Sequence, residues 1–259
     1  MKSITTNINN GVATLTLNRP EVFNSFNREM ALLLQSQLDA CEADPHIRAI
    51  VLTGEGKAFC AGQDLKEVTT PELHPGFKII LEEHYNPIIE RIRAIEKPII
   101  AAVNGVAAGA GANIALACDI VVASEKASFI QAFSKIGLVP DSAGSFFLPR
   151  LIGFQKASAL MLLGDKVGAT QAQELGMVYK VFTPETFQQQ VSSLALDMAQ
   201  MPTKALGLTK QLLNASFNNT LEQQLALESK LQIQAANSND YKEGVTAFVE
   251  KRKPNFKGN

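Results

Sequence analysis

Strand-like and helix-like patterns of apolar residues alternate along the first third of the chain. Residues 3–9 and 12–17 read as two short strands separated by Asn9-Asn10-Gly11, a hairpin-type turn. Asn27 then precedes REMALLLQSQLDACEA, whose apolar positions recur at helical spacing, so a helix capped by Asn27 is expected. Pro45 follows it, and residues 47–52 form a β-branched run suited to a buried strand. Residues 77–95 are helical in pattern and end before Pro98; residues 99–103 and 120–122 predict two more buried strands. Beyond about Gln155 the character changes. From Pro184 onward successive helices are expected, broken near Pro202 and Asn218-Asn219, with starts at Pro202-Thr203 and Thr220-Leu221-Glu222. The pattern therefore predicts an α/β core over residues 1–199 and a helical appendage over 200–259, of a kind that often packs against a neighbouring subunit. No internal repeat stands out.

Composition narrows the function classes. The chain has 259 residues, 46% hydrophobic and 19% charged, with 24 Lys+Arg against 25 Asp+Glu and a net charge of −1. That length supplies a sizeable core, and the balance argues against a binder of nucleic acid that relies on a basic surface. No run of eighteen apolar residues offers a membrane span, and the opening MKSITTNINN lacks the apolar stretch of a signal peptide. Three widely spaced cysteines, Cys41, Cys60 and Cys118, read as reduced thiols of a cytoplasmic protein.

The common motifs are mostly excluded. Gly109-Ala110-Gly111 begins a dinucleotide fingerprint, but Ile114 stands at its third glycine. Gly54-Glu55-Gly56-Lys57 is no phosphate loop, because Val51 and Ala58 replace its first glycine and its hydroxyl residue. His46, His74 and His84 lack metal-ligand spacing and read as surface residues, so no metal is expected.

Three segments are unusual. Residues 58–65 (AFCAGQDL) and 103–113 (VNGVAAGAGAN) place small residues after predicted strands. Small residues there let a ligand approach the backbone, and the unpaired N–H groups of a helix N-terminus suit an anion or a developing oxyanion. Tight strand–helix packing would require the same residues. The third segment, residues 136–147 (IGLVPDSAGSFF), holds Asp141, which is either an N-cap or a catalytic carboxylate tuned by burial.

Taken in order, these segments resemble the crotonase, or enoyl-CoA hydratase/isomerase, superfamily. The likeness begins at Leu17-Asn18-Arg19-Pro20 and Asn24-Ser25-Phe26 and ends at residues 243–248 (EGVTAF) and 251–256 (KRKPNF). The resemblance implies a spiral of ββα turns with a C-terminal helical trimerisation region, an acyl-CoA substrate, and no cofactor beyond the coenzyme A of that substrate. It implies a homotrimer or dimer of trimers in the cytoplasm. It places an oxyanion hole on the backbone N–H groups of Gln63 and Ala110. Contacts to coenzyme A fall on Ala61, Asp64 and Leu65, with Phe248 and Lys251 near the nucleotide end, from the same or a neighbouring subunit.

Departures from the family pattern bear on the reaction. Hydratases of the superfamily carry two glutamates where this chain has Asn113 and Phe133, so water addition lacks its acid and base. Asp141 stands where several isomerases carry a catalytic acid. Dehalogenases of 4-chlorobenzoyl-CoA use an aspartate there as nucleophile, but they also need a histidine near Asn86 and a tryptophan near Phe133, and this chain has no tryptophan. The likeness is greatest to the isomerases of ring-1,2-epoxyphenylacetyl-CoA in phenylacetate catabolism, which also shift enoyl-CoA double bonds; it includes Tyr85-Asn86-Pro87 and Ala132-Phe133-Ser134-Lys135. Tyr85, Phe133, Phe146 and Phe147 are candidates for an aromatic acyl pocket. The expected reaction is isomerisation by one aspartate through a thioester enolate. The alternatives are a hydratase-like or dehalogenase-like enzyme, or an idle CoA-binding scaffold.

Overall fold

The computed structural model describes residues 2–259, in which ten strands form two sheets. The larger sheet has the order β1-β2-β3-β5-β7-β10, from Ile4–Asn9, Val12–Leu17, Ala49–Gly54, Ile99–Val103, Ile120–Ser124 and Lys180–Phe182. Only β1 and β2 pair antiparallel; the remaining neighbours in this sheet are parallel. The smaller sheet has the order β4-β6-β8-β9, from Ala58–Cys60, Val106–Ala108, Ser128–Ile130 and Lys166–Gly168.

One unit recurs. β3, β5 and β7 lie in the large sheet and each runs through a short turn into β4, β6 or β8 of the small one. Helical segments then carry the chain back, which yields a spiral of ββα turns. Asparagines tie the turns together. Asn104 donates to the carbonyls of Gly56 and Ala58 and accepts from the Gly54 N–H, while Asn24 donates to the carbonyls of Glu55 and Ala58. Backbone groups of the turn between β3 and β4 are thereby satisfied by side chains.

The large sheet is covered on both faces, which is why its central strands are apolar without alternation. Ile50, Leu52, Ala101, Val103 and Val121 face the main core with the small sheet and most helices. Their neighbours Ala49, Val51, Ile100, Ala102 and Val122 face the helix Phe187–Ala199 through Val191, Ala195 and Met198. Successive strand residues point to opposite faces, so one run of sequence fills two cores.

The helix expected from Asn27 spans Arg28–Ala43, and the Asn27 side chain accepts from the Met30 N–H. The strand expected at 47–52 starts two residues later, because Ile47 closes a turn onto the Asp44 carbonyl. The stretch expected as one helix over 77–95 is interrupted. Phe77–Ile79 is followed by a π-helical segment, Ile80–Tyr85, and then by the α-helix Asn86–Ala94. Pro87 has no N–H to give the preceding turn. The carbonyls of Glu83 and His84 accept instead from the Gln35 side chain, at 2.7 and 3.1 Å. His84 corrects the reading of the histidines as surface residues. It is buried, its Nε2 lies 3.1 Å from Arg28 Nη1, and burial lowers its pKa.

The C-terminal helices are Thr203–Ser216, Leu221–Ala236 and Asn239–Glu250. Thr220 caps the second with a capping box, and the first is bound to the core by Lys210, which donates to the Ile92 carbonyl and pairs with Asp119 at 2.8 Å. Their outer surfaces expose large apolar side chains, including Leu221, Ile233 and Val249.

Candidate active site

Two backbone N–H groups come from the two glycine-rich turns. After β4, Gly62 adopts φ +95°, and a Cβ there would stand 3.0 Å from the Ala108 carbonyl oxygen and 3.5 Å from the Ala110 nitrogen. A side chain is excluded both by conformation and by the close approach of the two turns. Gln63 forms a parallel bridge with Phe26: the Phe26 N–H donates to Gly62 O and the Asp64 N–H donates to Phe26 O. A residue between two such bonds directs its own N–H to the opposite side. The Gln63 N–H therefore points away from Phe26, and it has no acceptor among the described residues. Ala110 opens the helix Ala110–Ala117 and precedes its first intrahelical bond, so its N–H is also free.

Both residues line a cavity of about 750 Å³ together with Asp141. The other walls include Tyr85, Phe77, Phe133, Leu81 and Leu138. Asp141 lies in the loop between the 3-10 turn Ala132–Ile136 and the helix Gly144–Ile152, and it is not the cap of that helix, since Ala143 occupies the N-cap position. Burial pushes its carboxyl up to about 6, and a 2.9 Å hydrogen bond from the Ser142 hydroxyl offsets part of that rise. A carboxyl in that range exchanges protons readily near neutral pH.

Tyr85 is fully buried at the end of the π-helical segment and donates to Gln63 Oε1 at 2.9 Å. Burial holds its phenol well above the ordinary value, so it stays a neutral donor. Gln63 in turn donates to Glu67 at 2.6 Å. The side chain of Gln63 is thus held from both ends, which fixes the peptide that carries its N–H.

The structure brings together Ala61, Gln63, Asp64, Leu65, Tyr85, Ala110, Phe133 and Asp141 around one cavity. Asp64 is not a free acid there. It pairs with Arg19 at 2.7 Å and caps the helix Leu65–Thr69 through the Lys66 N–H. Phe146 is a correction: it lies outside the cavity lining, stacked under the Arg150 guanidinium at 3.7 Å and edge-on to Phe217. Phe147, the next residue on the helix, is buried in the main core, with its ring edge-on to Phe146 at 5.1 Å. Phe248 and Lys251 do not line this cavity in their own chain; Phe248 is 85% exposed. Sequence reasoning missed the hydroxyl of the adjacent Ser142, which donates to Asp141, and the bonding roles of Gln131 and Asn113, which reach Asp141 from distant segments.

Among the described residues no group of three or more His, Cys, Asp or Glu side chains is arranged to hold a metal ion. The three thiols are buried, and burial pushes Cys41 up to about 11 and Cys60 and Cys118 up to about 12. They are not nucleophiles at neutral pH. No helix of the described residues is long and apolar enough to cross a membrane.

The family model described as Enoyl-CoA hydratase/isomerase matches residues 7–259. The chain is 48% identical to the 1,2-epoxyphenylacetyl-CoA isomerase of Escherichia coli (strain K12), over 100% of this chain and 99% of that one. It is 38% identical to 4-chlorobenzoyl coenzyme A dehalogenase-2 of Arthrobacter sp, over 82% of this chain and 78% of that one. The crystal structure of an enoyl-CoA hydratase from Polaromonas sp. JS666 superposes with a TM-score of 0.91 at 35% identity, covering 98% of this chain and 99% of that one. Fold, glycine turns and overall likeness converge: the chain belongs to the enoyl-CoA hydratase/isomerase family.

Proposed function

We propose that the protein is an acyl-CoA isomerase that moves one proton through a thioester enolate. The observation that carries this reading is a single carboxylate without an ion pair, Asp141, in a cavity with two free backbone N–H groups. Water addition needs a second acid–base group, and the positions that would supply it are Asn113 and Phe133. For a 3-enoyl-CoA, Asp141 takes a proton from C2, and the C–H electron pair moves toward the thioester oxygen. The N–H groups of Gln63 and Ala110 stabilise the oxyanion that develops there. Asp141 then returns the proton at C4, the carbonyl re-forms, and the double bond lies between C2 and C3. Nothing is consumed besides the substrate, so no cofactor is needed beyond the coenzyme A it carries.

The aromatic walls, Tyr85, Phe133 and Phe77, suit an acyl group with a ring, and the 48% identical isomerase supports ring-1,2-epoxyphenylacetyl-CoA as substrate, rearranged to oxepin-CoA in phenylacetate catabolism. Incubation with 3-enoyl-CoA and ring-epoxide CoA esters is expected to give products of unchanged mass. A gain of 18 mass units would instead establish hydration, and inertness with retained binding would establish a scaffold. The value of kcat/KM should rise with pH to a plateau with its midpoint near 6, because Asp141 must be ionised to accept the proton. A profile flat from pH 5 to 8 would remove Asp141 from that role.

The exposed apolar side chains of the C-terminal helices support assembly as a homotrimer or dimer of trimers. In such an assembly Phe248 and Lys251 would meet coenzyme A bound to a neighbouring subunit. Light scattering is expected to give three or six chains per particle, and a monomer at micromolar concentration would refute this.

A further inference from the structure

Asp141 is followed by two non-glycine residues in left-handed conformation, Ser142 at φ 49° and Ala143 at φ 57°. Such backbone is strained and persists only when its surroundings hold it. The Asp141 carbonyl is held twice. It accepts from the Gly144 N–H at 2.9 Å and from Asn113 Nδ2 at 2.8 Å. Asn113 is 1% exposed, and its Oδ1 accepts from Gln131 Nε2 at 2.8 Å. Gly144 leaves room for this amide, since a Cβ there would stand 2.3 Å from Asn113 Nδ2.

The chain of donors runs one way only. Reversing the Asn113 amide would set its oxygen against the Asp141 carbonyl and its NH₂ against the Gln131 NH₂. Gln131 keeps this orientation although its own Oε1 is buried without a partner. Asn113 also lies one turn along the helix that Ala110 opens, and residues three apart share a helix face. A single helical turn thus presents the Ala110 N–H and grips the strained loop that bears Asp141.

We propose that Asn113 and Gln131 are positioning residues, a buried relay that fixes the Asp141 carboxylate relative to the Ala110 N–H. This rests on the reading of Asp141 as proton carrier. An ångström of misplacement of a catalytic group costs up to about 10²-fold in rate. Asn113→Ala is expected to lower kcat about 10–100-fold while the Kd of a non-reacting CoA ester stays within about twofold, since neither amide lines the cavity. The pH midpoint of kcat/KM should also fall below its native position as Asp141 moves toward water. Gln131→Met, which touches neither Asp141 nor the cavity, should show the same pattern more weakly. The double variant should be no slower than Asn113→Ala alone, because both changes break one relay.

Native kcat in either single variant would overturn the proposal, as would multiplicative losses in the double variant or an unmoved pH midpoint. Asp141→Asn measured alongside separates the two readings. If that variant is inactive while Asn113→Ala is fully active, the relay fails alone; if it retains turnover, the proton-carrier reading fails and the relay fails with it.

Discussion

Asp141→Asn is expected to lower kcat for isomerisation by about 10²–10⁴-fold, the range over which a positioned acid–base group contributes, with the Kd of a CoA ester nearly unchanged. The amide keeps the volume of the carboxyl but cannot accept the C2 proton. Loss of fold cannot explain such a result, because the linkage runs the other way. The folded-state pKa of Asp141 is raised from 3.8 to about 6, so its contribution to stability is full below 3.8 and is lost as pH rises through about 6. At pH 7 the buried charge opposes folding. Asp141→Asn should therefore unfold no earlier than the native chain at pH 7, with a gain on the order of 1–3 kcal/mol. A stable, binding-competent and inactive variant is the expected combination. Retained turnover would sink the assignment of Asp141.

The second large effect concerns a backbone atom. Ala110→Pro replaces one N–H with the Cδ of the proline ring and leaves the helix start intact, since proline is well tolerated at the first position of a helix. Gly109, at φ 52° and ψ −128°, is outside the right-handed helical region that proline disfavours in its predecessor. Removal of one donor from an oxyanion hole costs about 10²–10³-fold in kcat. The expected loss in kcat/KM is at least of that size, with native circular dichroism, because the ring Cδ takes the place of the donor hydrogen. A substitution such as Ala110→Ser keeps the N–H and should retain activity within about tenfold. Equal damage from both variants would show that side-chain packing, not the donor, matters at this position.

Much of this architecture is written in the chain. β3, β5 and β7 carry the buried runs that parallel strands need, and Asn27 and Thr220 mark helix starts through hydrogen bonds they do make. The small sheet is far less legible. β4, β6, β8 and β9 are three residues each, too short for any periodicity, and the turn that leads into β4 is held by Asn24 and Asn104 from elsewhere in the sequence. The repeat of ββα turns is hidden for the same reason, since its helical segments differ in length and number.

At the site, the glycine turns and Asp141 stand out only as an ordered set, because each has an ordinary structural use by itself. Phe146 and Phe147 look alike in sequence, yet one step of a helix buries Phe147 in the core and leaves Phe146 at its edge under Arg150. His84 is buried within a π-helical turn that ends just before Pro87, a local geometry that the spacing of apolar residues does not announce. The Gln131–Asn113–Asp141 relay joins the residue after β8, a helix and a loop, and no spacing along the chain announces it.

The central claim is that one carboxylate and two backbone donors act on a thioester. A crystal structure with a non-isomerisable acyl-CoA bound tests it most directly. The account predicts the thioester oxygen within hydrogen-bond distance of both the Gln63 and Ala110 nitrogens, with one Asp141 carboxylate oxygen about 3–3.5 Å from C2. A thioester seated away from these N–H groups, or an acyl chain whose reacting carbons lie beyond reach of Asp141, would contradict it.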